Sequence, residues 1–138
     1  MRWLVDVNVI LDVLADREPW AEHSARVLEL VESGRAEGVV AAHTVTTLHY
    51  LVARHGGREL ATTSVRKLLR VFGVVPVDED RLLHALDLDL GDFEDAVQAA
   101  CAEKIRADVL VTRNADDFAG VGVEVLSPVE LLAGMEGT

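Results

Sequence analysis

Apolar residues along the chain fall into two alternating patterns: short unbroken runs, and longer stretches where they recur three or four apart. Residues 2–5 form the first run, aromatic and β-branched and apolar after Arg2, which reads as a buried strand. Val9, Ile10, Val13 and Leu14 then recur at helical spacing, so a helix is expected to about Asp16, with Asn8 as its N-cap. Arg17-Glu18-Pro19-Trp20 breaks the pattern. Ala25, Val27, Leu28, Leu30 and Val31 carry a second helix to Ser33, with Gly34 placed to cap its end. Residues 39–42 read as a short buried strand. His43 to Thr47 leads into a third helix marked by Leu48, Tyr50, Leu51 and Val52 and ended by Gly56-Gly57. A fourth helix covers 58–72, and 74–77 reads as a strand whose Pro76 suits a sheet edge.

The second half repeats the alternation. A helix is expected over 80–90. Gly91-Asp92 punctuates, and Phe93, Ala96, Val97, Ala100, Cys101 and Ile105 mark the buried face of the next helix. An apolar strand over 108–112 precedes a short turn of helix near 116–118, and the last strand is 123–126. Ser127-Pro128, with Glu130 three positions after the serine, opens a final helix to about Ala133, leaving 134–138 as a tail. Five strands alternating with helices predict an α/β fold, a three-layer α/β/α sandwich around a mostly parallel sheet. No repeat or linker divides it, so residues 1–138 form a single domain.

Composition narrows the class. The chain has 138 residues, half of them hydrophobic, which is enough for one core and excludes a disordered polymer. Its apolar runs are far shorter than a membrane span, and no basic segment followed by an apolar one suggests a signal peptide. Cys101 is the single cysteine, on an apolar helix face, so no internal disulfide forms and a cytoplasmic location is expected. The 13 basic and 24 acidic residues give a net charge of −11, which argues against a general nucleic-acid coat protein. The charge is unevenly spread: Arg54, Arg58, Arg66, Lys67 and Arg70 cluster around the fourth helix, whereas the stretch from Asp78 to Glu103 is strongly acidic. Arg66 and Arg70 share a helix face and are candidates to meet a phosphate backbone or an acidic partner.

Three acidic groups carry the candidate chemistry. Asp6 follows the first strand. Asp92 and Asp95 lie one turn apart at the start of a helix. Asn114, Asp116 and Asp117 follow the strand at 108–112. Each alone suits a turn or a helix N-terminus. Strand ends of a parallel sheet share one edge, however, and ligands bind outside it. Carboxylates gathered there repel unless they share protons or a cation. Oxygen-only ligands favour Mg²⁺ or Mn²⁺, which activate water and stabilise a phosphoryl transition state.

Asp6-Val-Asn8, Asp92-Phe-Glu-Asp95-Ala-Val-Gln-Ala-Ala-Cys-Ala and Thr112-Arg-Asn114-Ala-Asp-Asp117-Phe, in this order and over this length, resemble the PIN-domain family, especially its VapC-type ribonuclease toxins and PilT-like relatives. The resemblance implies strand order 3-2-1-4-5, a Mg²⁺ or Mn²⁺ site, endonucleolytic cleavage of RNA, a homodimer and a small cognate antitoxin. It implies that Asp6, Asp95 and Asp117 hold the cation with Asp92 beside them, that Asn114 belongs to the catalytic set, and that Asn8, Thr47 and Thr112 lie near substrate. One departure stands out: Thr47 occupies the position where family members usually carry a glutamate. A PIN-like module that binds RNA or a protein partner without cutting is therefore the alternative. A phosphoacceptor receiver domain shares the fold class but lacks its residues here, with no paired acids after the first strand and no lysine after the last. His43 and His49 are expected to be structural or surface groups, with His49 and Tyr50 the nearer to a substrate.

Overall fold

The computed structural model describes residues 1–136. Its elements, in chain order, are β1 (Arg2–Val5), α1 (Val7–Leu14), α2 (Ala21–Glu32), β2 (Glu37–Ala41), α3 (Ala42–Gly56), α4 (Arg58–Val71), β3 (Gly73–Val75), α5 (Glu79–Asp87), α6 (Phe93–Lys104), β4 (Val109–Val111), a 3₁₀ turn (Ala115–Phe118), β5 (Glu124–Leu126) and α7 (Pro128–Glu136). The five strands are all parallel in the order β3-β2-β1-β4-β5, with Leu4 paired to Val39 on one side and to Leu110 on the other.

Alternation along the central strands sorts the core into two layers. Trp3, Val5, Val40, Val109 and Val111 face α1, α2, α3, α4 and α7. Leu4, Val39, Ala41, Leu110 and Val75 face α5 and α6. Both sheet faces are covered, so the strands are continuously apolar, as buried parallel strands require. Gly38 is where this packing is tightest: a Cβ there would stand 2.5 Å from Val31 Cγ1 and 2.7 Å from Phe72 Cε2.

Several boundaries differ from the sequence pattern. Helix α3 starts at Ala42, because Thr44 is buried and the threonine-rich lead-in is already its first turn. Helix α2 starts at Ala21, four residues before the apolar periodicity begins. It ends as expected: Gly34 has φ +82° and donates to Val31 O, while Arg35 N donates to Leu30 O, which closes the last turn. Helix α7 continues through Gly134 and Met135 rather than fraying at Ala133. Of the expected tail, Gly137 and Thr138 lie outside the described residues. Pro76 falls just beyond β3, which is an edge strand. Among the described residues, no helix is long and apolar enough to cross a membrane.

Candidate active site

Asp6 sits where β1 gives way to α1, and it rather than Asn8 is the N-cap residue, with φ −72° and ψ 150°. Its backbone N–H donates to Val111 O at 2.9 Å, tying the end of β1 to the end of β4. Its carboxylate does not cap α1. It is 4% exposed and accepts from three neutral donors: Asn8 Nδ2 at 3.0 Å and Thr112 Oγ1 at 2.7 Å on Oδ2, and Gln98 Nε2 at 2.8 Å on Oδ1.

Helix α6 supplies the next acids. Asp92 Oδ1 accepts from Asp95 N at 3.0 Å, so Asp92 is the helix cap. Asp95, one turn in, is half-buried. Burial pushes its carboxyl up to about 7, and the charges of Asp92, Asp6, Asp117 and Glu94 push the same way. Acids from β1, α6 and the 3₁₀ turn thus act on one another at the carboxyl edge of the sheet. Phe118 is buried against the α6 layer and anchors the turn that carries Asp117, which is exposed.

The remaining expected residues divide. Asn114 is exposed and lines a shallow cavity with Arg113, Asp116, Asp117, Ser127 and Glu130. Asn8 is half-buried and spends its amide N–H on Asp6. The substrate contact expected of Thr112 is not available to it. Thr112 is fully buried, and its hydroxyl donates to Asp6 and accepts from Asn114 N at 3.2 Å. Thr47 is half-buried in α3 and bonds to none of these acids. Arg66 and Arg70 are exposed on α4; Arg70 borders a groove between α1, α2 and α4, apart from the cavity at Asp117. His43 bridges α3 to α6, with Nε2 3.2 Å from Glu94 O. A carbonyl only accepts, so Nε2 carries the proton and the buried Nδ1 is left without a partner.

Sequence reasoning missed two features. Gln98 lies inside the apolar run Ala96 to Ala102, one turn beyond Asp95, and a lone amide in such a run was the available signal. The other is a buried ion pair. Asp12 is fully buried among Val9, Ile10 and Leu11, with Arg113 Nε 2.9 Å from its Oδ2 and Ser24 Oγ at 3.4 Å. The Arg113 guanidinium lies 3.9 Å from the centroid of the Trp20 ring. Burial raises the Asp12 carboxyl, and Arg113 and Arg17 pull it back. The pair fastens the loop after β4 to α1 and α2.

Among the described residues, no three or more His, Cys, Asp or Glu side chains are arranged so that they could hold a metal ion as they stand. The donor chemistry nonetheless fits a hard cation. The acids offer only oxygen, burial and then the repulsion of its neighbours favour a proton on Asp95, and the buried Gln98 Oε1, on the side chain that bonds Asp6, has no donor.

A parallel sheet of order 3-2-1-4-5, covered on both faces and carrying acids from three segments at its carboxyl edge, defines a class of α/β proteins built around an acidic site. The sequence model of the PIN domain matches residues 2–116, and the chain belongs to the PIN domain family. It is similar to ribonuclease VapC1 of Aquifex aeolicus (strain VF5), 22% identical over 131 residues that cover 91% of this chain and 90% of that one. Its fold matches FitAcB from Neisseria gonorrhoeae with a TM-score of 0.72, at 22% identity over 92% of this chain and 98% of that one. It also matches VapBC2 from Rickettsia felis bound to a promoter DNA fragment, with a TM-score of 0.71, 15% identity and coverage of 92% and 98%. A third match is the sarcin-ricin loop cleaving toxin VapC20 of Mycobacterium tuberculosis, with a TM-score of 0.69, 17% identity and coverage of 86% and 95%.

Proposed function

We propose that this chain is a divalent-cation-dependent endoribonuclease, the VapC-like toxin of a toxin–antitoxin pair. The observation that carries the reading is the gathering of acids from three segments around Asp95, whose carboxyl is pushed up to about 7 by burial and by its acidic neighbours. Such a site is short of positive charge at neutral pH. Asp6, Asp95 and Asp117 would hold Mg²⁺ or Mn²⁺, with Asp92 alongside. The cation supplies Lewis acidity, which makes water nucleophilic and offsets charge developing on a phosphoryl group.

The chain's own residues do the rest. Asn8 and Thr112 hold Asp6 in one rotamer. Thr112 also holds Asn114 N, which places the Asn114 side chain at the rim to orient water or a phosphate oxygen. Asp95 would release its proton on taking up the cation. Thr47 offers a hydroxyl to the substrate, and Arg66 and Arg70 attract the RNA backbone. The similarity to ribonuclease VapC1 and to a toxin–antitoxin complex from Klebsiella pneumoniae supports an RNA substrate and an antitoxin partner, while the homodimer and the cytoplasmic setting rest on the family resemblance alone.

The second reading, a module that binds RNA without cutting, rests on Thr47, which brings no charge where the family resemblance implies a glutamate. One assay separates the two. The purified chain is incubated with structured and single-stranded RNA and Mg²⁺ or Mn²⁺, beside Asp6→Asn and Asp95→Asn. Each variant should stay folded and cut about 100-fold more slowly, equivalent to about 2.7 kcal/mol of transition-state stabilisation. Wild-type protein that binds RNA yet leaves it intact with both cations would establish the second reading.

A further inference from the structure

Gln98 is 3% exposed, on the face of α6 that also carries Asp95, within a run otherwise made of alanine, valine and cysteine. Its amide Nε2 donates to Asp6 Oδ1 at 2.8 Å. The carbonyl Oε1 is covalently fixed beside that contact, and it is buried with no donor. Most buried side-chain polar atoms are paired, and of the few unpaired ones among the described residues Gln98 Oε1 is the one whose own side chain bonds an acid of the cluster, which marks it as an acceptor for a further donor. A cation alone would be drawn to the acids, but its hydration shell also brings O–H groups. Packing alone does not account for the residue, since a methionine would fill the same volume: the amide N–H is taken up by Asp6 Oδ1, and only the carbonyl is left over.

Resting on the ribonuclease reading above, we propose that Gln98 is a positioning residue of the cation site: its N–H holds Asp6, and its free carbonyl accepts from water that accompanies a divalent cation. Partners of this kind keep a ligand oriented, and their loss costs about 10–100-fold in metal affinity.

The test uses Mn²⁺ as the probe and measures binding by titration calorimetry and by thermal unfolding with and without the ion. Gln98→Met should fold, melt lower than wild type in metal-free buffer because Asp6 Oδ1 loses its donor, and bind Mn²⁺ about 10–100-fold more weakly. Gln98→Glu keeps the acceptor but sets a further carboxylate against Asp6. It should melt lower without metal and gain more from saturating Mn²⁺ than wild type does, because a ligand stabilises in proportion to its affinity for the native state. A folded Gln98→Met with wild-type Mn²⁺ affinity overturns the inference. If that variant does not fold, an unchanged Mn²⁺-induced rise in Gln98→Glu overturns it instead. Wild-type protein that binds no Mn²⁺ at all overturns the metal-dependent reading and this inference with it; equal binding by wild type and Gln98→Met removes the inference alone.

Discussion

Asp6 and Asp12 are both buried in the first 12 residues, yet they meet opposite surroundings. Asp6 is held by three uncharged donors and sits with like charges, an arrangement that keeps it in place without a basic partner. Asp12 faces Arg113, which already supplies the cation. The difference fits the proposed role of Asp6 as a cation ligand and makes Asp12 part of the architecture. Removing one member of a buried pair leaves the other uncompensated, at a cost of about 3–5 kcal/mol. Arg113→Met should therefore lower stability at pH 7 by about 3 kcal/mol in urea unfolding. The loss should shrink in acid, where Asp12 is neutral and needs no partner. A loss below about 1 kcal/mol at pH 7, the size of an exposed pair, would mean that water reaches Asp12 and the pair is not an anchor.

At the scale of the element, α6 organises the site. Its cap is Asp92, its first turn carries Asp95, and its next turn delivers Gln98 to Asp6. A helix beginning with three acids, Asp92, Glu94 and Asp95, is helped by its own dipole, but crowding and burial dominate at Asp95. The consequence for pH has a definite sign. The folded-state carboxyl titrates near 7, against 3.8 for an unperturbed aspartate, so the native protein holds a proton that the unfolded chain has released. The stabilisation is fully present below about pH 4 and is lost as pH rises through about 7. Metal-free wild type should lose stability across that window relative to Asp95→Asn, as read by chemical denaturation at several pH values. Adding Mn²⁺ near pH 6 should release the proton, which calorimetry in buffers of different ionisation enthalpy detects. Identical pH profiles for the two proteins would place Asp95 in solvent rather than in the acidic cluster.

For the whole molecule the proposed function raises the issue of how a chain of net charge −11 would receive a polyanion. Acids gather at the carboxyl edge, while the densest basic stretch, from Arg54 to Arg70, lies on α4 and the end of α3. A nucleic acid bound at the edge and steered by that stretch spans both regions. On a single strand, every phosphate that is no longer neutralised by a basic side chain reduces the salt slope of binding by about 0.7. Arg66→Glu with Arg70→Glu should weaken RNA binding and flatten the slope of log K against log salt by about 1.4, with Mn²⁺ affinity unchanged. An unaltered slope would assign these arginines to the solvent and leave the acids to meet RNA by another route.

The sequence by itself determined the elements and their class. Buried parallel strands such as Trp3-Leu4-Val5 and Val109-Leu110-Val111 must be apolar on both faces, so they are legible as runs. The long helices are legible from their one-sided burial, and Asp6, Asp95 and Asp117 from their place after strands or at a helix start. Tertiary structure decided what local pattern does not encode. Thr44 is in a helix because the core takes it there, against its β-branched preference. Thr112 turned from a substrate contact into a support because its hydroxyl is consumed by a residue 106 positions away. Gln98 meets Asp6 across 92 positions, and Asp12 meets Arg113 only because α1 and the loop after β4 adjoin the same edge of the sheet. Such polar pairings are set by three-dimensional proximity and desolvation, and neither leaves a period in the sequence.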